Sequence, residues 1–253
     1  MNPDWPLPFW IAHRGAGRLA PENTLAAFRV GASHGYRGFE CDVKLSHDGQ
    51  PFLLHDDRLD RTTNARGSAA ALNWAELARL DAGAWHSRGF AGEPVPSLDA
   101  VAHFCIANGF GLNLELKPNP GQAKATGQVV ARAVTRLWAG SAIKPLLTSF
   151  EPAAVAAALH EAPALPRGLL IDKPRATWAD EAQALGCHAV ITHYALMDKA
   201  MVGAIHALGM KALVYTVNDP SVADWLLGNG LDGIITDRVD LFAPTRPGSA
   251  LRP

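Results

Sequence analysis

The sequence predicts an α/β protein folded as a TIM (β/α)8 barrel. Short apolar segments rich in β-branched residues alternate with helix-length stretches rich in alanine and leucine, which is the rhythm of repeated β-α units. The chain has 253 residues, and a single barrel of this type needs about 250. We therefore expect one barrel domain that spans residues 1–253.

Nine segments have the composition of strands, one more than a barrel of this type holds. They lie at residues 9–12, 38–46, 51–56, 111–117, 145–150, 167–172, 189–194, 212–217 and 233–237. The surplus is explained by the Asp48-Gly49 pair, which is typical of a tight two-residue hairpin turn. We expect the segments on either side of this turn to pair antiparallel.

The register of this hairpin predicts a cluster of polar side chains. With Asp48 and Gly49 as the loop, continued pairing places His55 directly opposite Asp42, and opposed residues share a face with Cβ atoms about 5 Å apart. Side chains alternate along a strand, so Glu40 shares the face of Asp42 while Cys41 points the other way. Two carboxylates and an imidazole should therefore converge.

The stretch at residues 57–98 contains many loop-like pieces, and we interpret it as an insertion after the second strand and its hairpin. It should lie on the side of the barrel where active sites are built, with one short helix near residues 74–80. Residues 243–253 are rich in proline and small or polar residues and should form a loose tail.

Composition excludes several classes of function. Hydrophobic residues make up 48% and charged residues 19%, the balance of a soluble globular protein. The net charge of −1 gives no general attraction for nucleic acid or for an anionic membrane. No leader or membrane-spanning run is visible, and the 3 cysteines fit reduced core thiols. We expect a cytoplasmic protein without stable membrane association, and the sequence leaves its oligomeric state open.

Three acidic residues lie within apolar strand segments, where an unpaired charge is costly: Glu40, Asp42 and Glu115. Any one of them alone would ordinarily be a surface carboxylate. Together on strands, they need a cation. Because no cysteine or clustered histidine accompanies the carboxylates, one divalent hard ion such as Mg²⁺, Ca²⁺ or Mn²⁺ is favoured over zinc.

Two histidines are candidates for proton transfer. His13 directly follows the apolar run at 9–12, so it falls at the carboxyl end of the first strand, where TIM-barrel active sites are built. A single histidine at a strand end is more often structural. The independent placement of His55 beside the acidic face favours a catalytic pair with His13.

Arg14 and Lys117 are the candidate phosphate contacts, because guanidinium binds phosphate in a forked geometry and ammonium supplies a point charge. An ordinary salt bridge with Glu115 is an equal alternative for Lys117. The stretch at 21–28 should open a helix capped by Asn23 or Thr24.

The sequence resembles the glycerophosphodiester phosphodiesterase family. The segments that show the resemblance are AHRGAGRLAPENTLAAF, FECDVKLSHDGQPFLLHDDRLDRTT and NLELKP, followed by LDAGAWHSRGFAGEPVPSL, TSF at 148–150, YTVND at 215–219 and ITD at 235–237. The resemblance covers nearly the whole chain. It is strongest to the bacterial cytoplasmic member associated with glycerol 3-phosphate uptake.

The resemblance implies a metal-dependent hydrolase that converts glycerophosphodiesters into an alcohol and sn-glycerol 3-phosphate. It implies divalent-cation binding at Glu40, Asp42 and Glu115, and an acid and base pair at His13 and His55. It further implies phosphate contacts at Arg14 and Lys117 and a supporting role for Glu22. The assignment of acid and base, the headgroup, and the attack by water or by the glycerol 2-hydroxyl stay open.

Two rival functions remain. A phospholipase C or D type enzyme on the same barrel would need an apolar or basic docking surface, and Trp74, Trp85 and Phe90 could either line a pocket or fill a small core. A non-catalytic metabolite-binding barrel would not need the histidine pair.

Overall fold

The computed structural model describes residues 5–242 and residue 244. Its strands are β1 (Trp10–Ala12), β2 (Gly38–Leu45), β3 (Pro51–Leu53), β4 (Gly111–Leu116), β5 (Leu146–Ser149), β6 (Arg167–Ile171), β7 (Ala189–His193), β8 (Lys211–Tyr215) and β9 (Gly233–Thr236). All of them except β3 run parallel, and β1 pairs with both β2 and β9, which closes the sheet. The predicted TIM barrel is confirmed.

The helices that cover the barrel are α1 (Leu25–Ser33), α2 (Trp74–Leu77), α3 (Leu98–Asn108), α4 (Ala123–Leu137), α5 (Pro152–Glu161), α6 (Trp178–Ala184), α7 (Lys199–Ala207) and α8 (Pro220–Leu227). Several begin at a side chain that accepts a backbone N–H of the first turn, as Ser97 does for α3 and Asp198 for α7. Within the described residues, no helix is both long enough and apolar enough to cross a membrane.

The interior of the barrel is apolar on one side and polar on the other. Ile11, Leu170 and Leu213 belong to a buried apolar cluster formed by β1 and β5 to β9. On β2 and β4 the alternate positions, including Glu40 and Glu115, are polar and also buried. Cys41 packs in the main core, on the opposite face of β2, as predicted. The fold therefore encloses a polar patch on two adjacent strands.

The predicted antiparallel hairpin forms, but its predicted register is wrong by one residue. Val43 pairs with Leu53, and Leu45 pairs with Pro51. The loop has three residues rather than two, because the N–H of Ser46 donates to the carbonyl of Gln50 across it. Gly49, with φ of 78°, takes the left-handed position that such a loop requires.

This register does not place His55 opposite Asp42. The N–H of Leu54 donates to the carbonyl of Asp42 at 3.2 Å, so Leu54 occupies that position. β3 ends at Leu53, and His55 lies on the chain that leaves the sheet after it. Strand alternation therefore does not govern the direction of its side chain.

The chain between β3 and α3 packs on a small apolar cluster of its own, which includes Phe52, Leu59, Leu77 and Val95. This separate cluster supports our proposal that residues 57–98 are an insertion into the barrel. The helix predicted near residues 74–80 is present as α2 and is shorter, since it ends at Leu77. The predicted loose tail at 243–253 lies outside the described residues, apart from residue 244.

Gly127 lets α4 approach α5 closely. A Cβ built at this position would lie 2.2 Å from the backbone oxygen of Ala154, a separation that forces the two helices apart. Gly203, on α7, offers a contrast, because a Cβ there meets nothing within 4 Å.

The variant G127A should lower the free energy of unfolding by about 1–3 kcal/mol, because overpacking moves the backbone. The matched variant G203A should raise the free energy of unfolding by about 0.4–1 kcal/mol, because alanine reduces the entropy of the unfolded chain. Urea denaturation of both variants beside the wild type measures these changes. Equal stability of the two variants would contradict the tight contact between α4 and α5.

Candidate active site

The eight residues singled out in the sequence lie together at the carboxyl ends of the barrel strands. They are His13 and Arg14 after β1, Glu22 before α1, Glu40 and Asp42 on β2, His55 after β3, Glu115 on β4 and Lys117 just after β4. The structure brings all eight into one network of contacts, while the chemical role of each stays a prediction.

The centre of the site is the carboxylate triad Glu40, Asp42 and Glu115. Asp42 and Glu115 are neighbours across the β2–β4 pairing, and one oxygen from each of the three lies within 4.8 Å of the others. All three are buried. An arrangement of three buried carboxylate oxygens could hold a metal ion, and an oxygen-only donor set suits a hard divalent cation.

The triad shifts the pKa values of its own members in the metal-free protein. Burial, followed by repulsion from Asp42 and Glu115, raises the pKa of Glu40 well above its usual value. Burial and the charge of Asp42 raise the pKa of Glu115 to about 7. Burial alone would also raise the pKa of Asp42, but the nearby Arg14 and Lys117 outweigh it and lower that pKa to about 2.

Asn23 holds Asp42 in place, which sequence reasoning missed. Its side-chain amide donates to Asp42 Oδ2 at 2.8 Å, and its Oδ1 accepts the backbone N–H of Asp42 at 3.0 Å. The capping role that the sequence left open between two residues falls to Thr24, whose hydroxyl accepts the N–H of Ala27. The amide of Asn23 is thereby left free for the carboxylate.

Arg14 lies among three carboxylates. Its backbone N–H donates to Glu40 Oε2 at 3.0 Å, and its Nη1 donates to Glu22 Oε1 at 2.8 Å. Its Nε lies 3.4 Å from Asp42 Oδ2. The residue has φ of 50°, a left-handed conformation that is unusual outside glycine. This conformation directs both the backbone N–H and the guanidinium of Arg14 into the site.

Lys117 touches both the triad and a histidine. Its Nζ lies 2.9 Å from Glu115 Oε1, 3.7 Å from Asp42 Oδ1 and 2.9 Å from His55 Nε2. The salt bridge with Glu115, considered above as an alternative, is therefore present. It does not stand alone, because the same ammonium group also reaches the imidazole.

The two histidines are held in the same way. His13 Nδ1 lies 2.6 Å from Asp237 Oδ1, and its Nε2 lies 3.8 Å from Glu40 Oε2. His55 Nδ1 lies 2.7 Å from Asp56 Oδ1. A carboxylate partner assigns a proton to Nδ1. Nε2 is then directed toward Glu40 in His13 and toward the ammonium of Lys117 in His55.

The surroundings of His55 favour its neutral form. Burial lowers its pKa, and the positive charges of Arg14 and Lys117 lower it further, against the opposing effect of Asp42. The side chain of His55 is 30% exposed, so the imidazole is partly accessible from solvent.

Arg61 joins two parts of the site and was not identified from the sequence. It donates two hydrogen bonds to Glu22 and two to Asp56, at 2.7–2.9 Å. Both partners contact predicted site residues, since Glu22 accepts from Arg14 and Asp56 holds His55. The only signal in the sequence was the position of Asp56 and Arg61 within the motif HDDRLDRTT.

A cavity of about 400 Å³ opens beside the site and is lined by His13, Arg14, Glu22, Arg61 and Trp85, among others. Trp85 is 40% exposed and borders this cavity, whereas Trp74 packs against the apolar cluster of the insertion. On the other side of the site, the ring centre of Phe150 lies 5.7 Å from Lys117 Nζ. The site is therefore an open cleft with an aromatic side chain on each flank.

Comparison with known proteins gives a consistent result. Residues 13–241 match the model of the glycerophosphoryl diester phosphodiesterase family. A glycerophosphodiester phosphodiesterase of Caldanaerobacter subterraneus is 30% identical over 227 residues, covering 90% of this chain and 93% of its own length. YhdW of Bacillus subtilis, a candidate enzyme of the same activity, is 33% identical, covering 92% of this chain and 95% of its own.

Among solved structures, a phosphodiesterase of Oleispira antarctica superposes with a TM-score of 0.87 and 36% identity, covering 91% of this chain and 93% of its own. That protein was solved in complex with the product sn-glycerol 3-phosphate.

Lowering the pH should stabilise the metal-free protein through Glu115. Because its pKa rises from 4.5 to about 7 on folding, the stabilisation is complete below the lower value and is lost as the pH increases through the higher one. E115Q should lack this dependence and, at about pH 8, should exceed the stability of the wild type by on the order of 2 kcal/mol. Chemical denaturation with a chelator at about pH 5 and about pH 8 measures the difference.

The matched control is E161Q, because Glu161 is a carboxylate paired with Arg132 on the protein surface. The effect of His55 is common to both variants and cancels in the comparison. If E115Q followed the wild type at every pH, the raised pKa of the buried Glu115 would be disproved.

Proposed function

Because the chain belongs to the glycerophosphoryl diester phosphodiesterase family, it is a phosphoric diester hydrolase, and we propose that it releases sn-glycerol 3-phosphate and an alcohol with a bound divalent cation and a histidine pair. The observation that carries the proposal is the pairing of the buried triad with two oriented imidazoles. His13 Nε2 lies 3.8 Å from Glu40 Oε2, and His55 Nε2 lies 2.9 Å from the ammonium of Lys117, which itself contacts the triad. A binding protein would need the charges but would not need two oriented proton carriers.

The residues fit a divalent cation. Glu40, Asp42 and Glu115 supply oxygen donors only, and their mutual repulsion is the kind of strain that a cation relieves. We propose Mg²⁺, Ca²⁺ or Mn²⁺ as the ion. When bound, such an ion supplies neutralisation of the phosphoryl oxygens and lowers the pKa of the attacking oxygen.

Arg14 and Lys117 are proposed to hold the phosphate. Both lie at the edge of the triad with their cationic groups directed into the site, and their side chains are 18% and 25% exposed. A phosphodiester carries one negative charge, which the guanidinium and the ammonium can share. Glu22, hydrogen-bonded to both Arg14 and Arg61, would keep the guanidinium of Arg14 in position.

The histidines are proposed to move the protons of the reaction. Nε2 of one imidazole accepts the proton of the attacking oxygen, which is the oxygen of water or of the glycerol 2-hydroxyl. The other imidazole, which must enter the step with a proton on Nε2 as well as on Nδ1, donates the Nε2 proton to the alcohol oxygen as its bond to phosphorus breaks. Attack by the glycerol 2-hydroxyl would first form a cyclic phosphodiester, which water would then open to sn-glycerol 3-phosphate. With Nδ1 of each ring held by a carboxylate, Nε2 is the nitrogen proposed to transfer the proton, and Nε2 of His55 also contacts the ammonium of Lys117 at 2.9 Å.

The proposed substrates are soluble, deacylated glycerophosphodiesters. Support comes from the Oleispira antarctica structure, which contains sn-glycerol 3-phosphate and shares the fold over 91% of this chain. Phe150 could pack against the carbon atoms of glycerol, because its ring lies beside Lys117. We also propose a cytoplasmic location, which is supported by three free, buried cysteines.

Substitutions should separate metal binding from proton transfer. H13N and H55N should each lower kcat by about 10²- to 10⁴-fold, because a positioned acid or base contributes that factor. Their affinity for Mn²⁺ should remain close to that of the wild type. E40Q, D42N and E115Q should instead lose Mn²⁺ affinity and activity together. Isothermal titration with Mn²⁺ and steady-state kinetics on glycerophosphocholine provide the two measurements.

H206N is the matched control for the histidines, because His206, on α7, pairs with Asp232 outside the eight-residue network. It should leave both measurements unchanged. Near-normal turnover of H13N or H55N would return that histidine to a structural role. Unchanged Mn²⁺ binding in all three carboxylate variants would remove the proposed metal site.

The identity of the products tests the substrate assignment. The enzyme should convert glycerophosphocholine and glycerophosphoethanolamine into sn-glycerol 3-phosphate, with at least tenfold slower hydrolysis of phosphatidylcholine in vesicles. A coupled assay for glycerol 3-phosphate and ³¹P NMR distinguish the products, and a chelator control tests the metal. Phosphocholine as the main product would reverse the assigned bond cleavage, and faster hydrolysis of vesicle lipid would support the phospholipase alternative.

A further inference from the structure

Two sequence motifs that the proposed chemistry does not use meet behind His13. YTVND begins at the end of β8 and ITD at the end of β9. Their polar residues, Asn218 and Asp237, form a reciprocal pair. Asn218 Nδ2 donates to Asp237 Oδ2 at 2.8 Å, and the N–H of Asp237 donates to Asn218 Oδ1 at 2.8 Å. The carboxylate is thereby fixed on one side.

The other carboxylate oxygen of Asp237 holds His13. Oδ1 lies 2.6 Å from His13 Nδ1, so both oxygens of this carboxylate have assigned partners. Burial would raise its pKa, but the hydrogen bonds from His13 and Asn218 outweigh burial and lower that pKa. It therefore accepts the Nδ1 proton of the imidazole as a carboxylate.

A separate backbone contact holds the chain that carries His13 close to Asp237. The N–H of Arg18 donates to the carbonyl of Asp237 at 3.1 Å. Gly17, with φ of 54°, passes so close that a Cβ there would lie 2.2 Å from the Cα of Asp237. The chain that carries His13 is thus held against the backbone of Asp237 as well as against its side chain.

We propose that Asp237 is a positioning residue for His13 and that Asn218 holds Asp237 in the required orientation. The carboxylate holds an imidazole proton on Nδ1 and leaves Nε2 directed at the triad, 3.8 Å from Glu40 Oε2. This inference depends on the proposed role of His13 in proton transfer. Asp237 itself contacts no reacting atom in this arrangement.

The carboxylate that holds His55 is itself supported differently from the carboxylate that holds His13. Asp56, which holds His55, is itself held by Arg61, a cationic side chain that is 45% exposed. Asp237 is held by the neutral amide of Asn218, and among the described residues its one ion-pair partner is His13. Loss of Asp237 should therefore affect His13 alone and leave the support of His55 intact.

D237N is the principal test. Asparagine keeps the size of the side chain but offers an amide that no longer imposes the Nδ1 proton. We expect kcat to fall at least 100-fold toward the value of H13N, with KM and Mn²⁺ affinity within about threefold of the wild type. The double variant H13N/D237N should be no slower than H13N, because both substitutions remove the same function. N218A should cause a smaller loss of the same kind.

A spectroscopic measurement makes the test independent of activity. Long-range ¹H–¹⁵N correlation should show the imidazole proton of His13 on Nδ1 in the wild type and on Nε2 in a substantial fraction of D237N. D232N is the matched control, because Asp232 forms the same type of bond with His206 at 2.7 Å. It should leave kcat and the His13 spectrum unchanged.

Several results would overturn the inference. A wild-type spectrum with the proton on Nε2 would overturn it even if D237N failed to fold. If kcat of D237N were within threefold of the wild type and H13N were slow, the inference would be wrong but the proposed function would survive. Near-normal turnover of H13N would remove the proposed function and this inference together.

Discussion

Placing three carboxylates in the interior of the barrel is the constraint around which the site is built. Glu40, Asp42 and Glu115 are buried within 4.8 Å of one another, where like charges repel strongly and water cannot screen them. Arg14 and Lys117 compensate part of this charge from the edge, and Asn23 stabilises Asp42 with two hydrogen bonds. These contacts lower one pKa and leave the other two raised. The metal-free protein therefore contains residual repulsion.

The side chains around the triad are connected by a few long-range contacts. Arg61 joins Glu22, which precedes α1, to Asp56, which follows β3. Through these two carboxylates, one arginine supports both Arg14 and His55. His13 depends on β8 and β9 instead, through Asn218 and Asp237. Two separate parts of the chain thus support the two imidazoles, and a disturbance of one need not reach the other.

Much of the fold could be predicted because its signals are local. Every proposed strand is present, and the main difference lies in the hairpin, where the loop has three residues rather than two. Asp48 explains the difference, because its carboxylate accepts hydrogen bonds from the Ser46 hydroxyl and the N–H of Trp74. The hydrogen bond from Trp74 to Asp48 spans 26 positions of the sequence. A rule based on the Asp-Gly pair alone therefore cannot predict it.

The eight candidate residues could be located because apolar strand segments rarely carry charge and because their motifs resemble those of a family. Their supporting residues could not be found in this way. Asp237 is 224 positions from His13, and no local pattern pairs an aspartate with a histidine at that distance. His55 shows a further limit, because it reaches the site even though the reasoning that placed it there used the wrong register.

Because β1 pairs with β9, the site can be completed only after the last strand of the barrel has been synthesised. His13 directly follows the first strand of the barrel and Asp237 directly follows the last, and the chain at Gly17 packs against the backbone of Asp237. A ribosome makes the triad and both imidazoles well before it makes the residue that orients one of them. A nascent chain without β9 would have an open sheet and an unsupported His13. Full activity should therefore appear only after the last strand has emerged and closed the barrel.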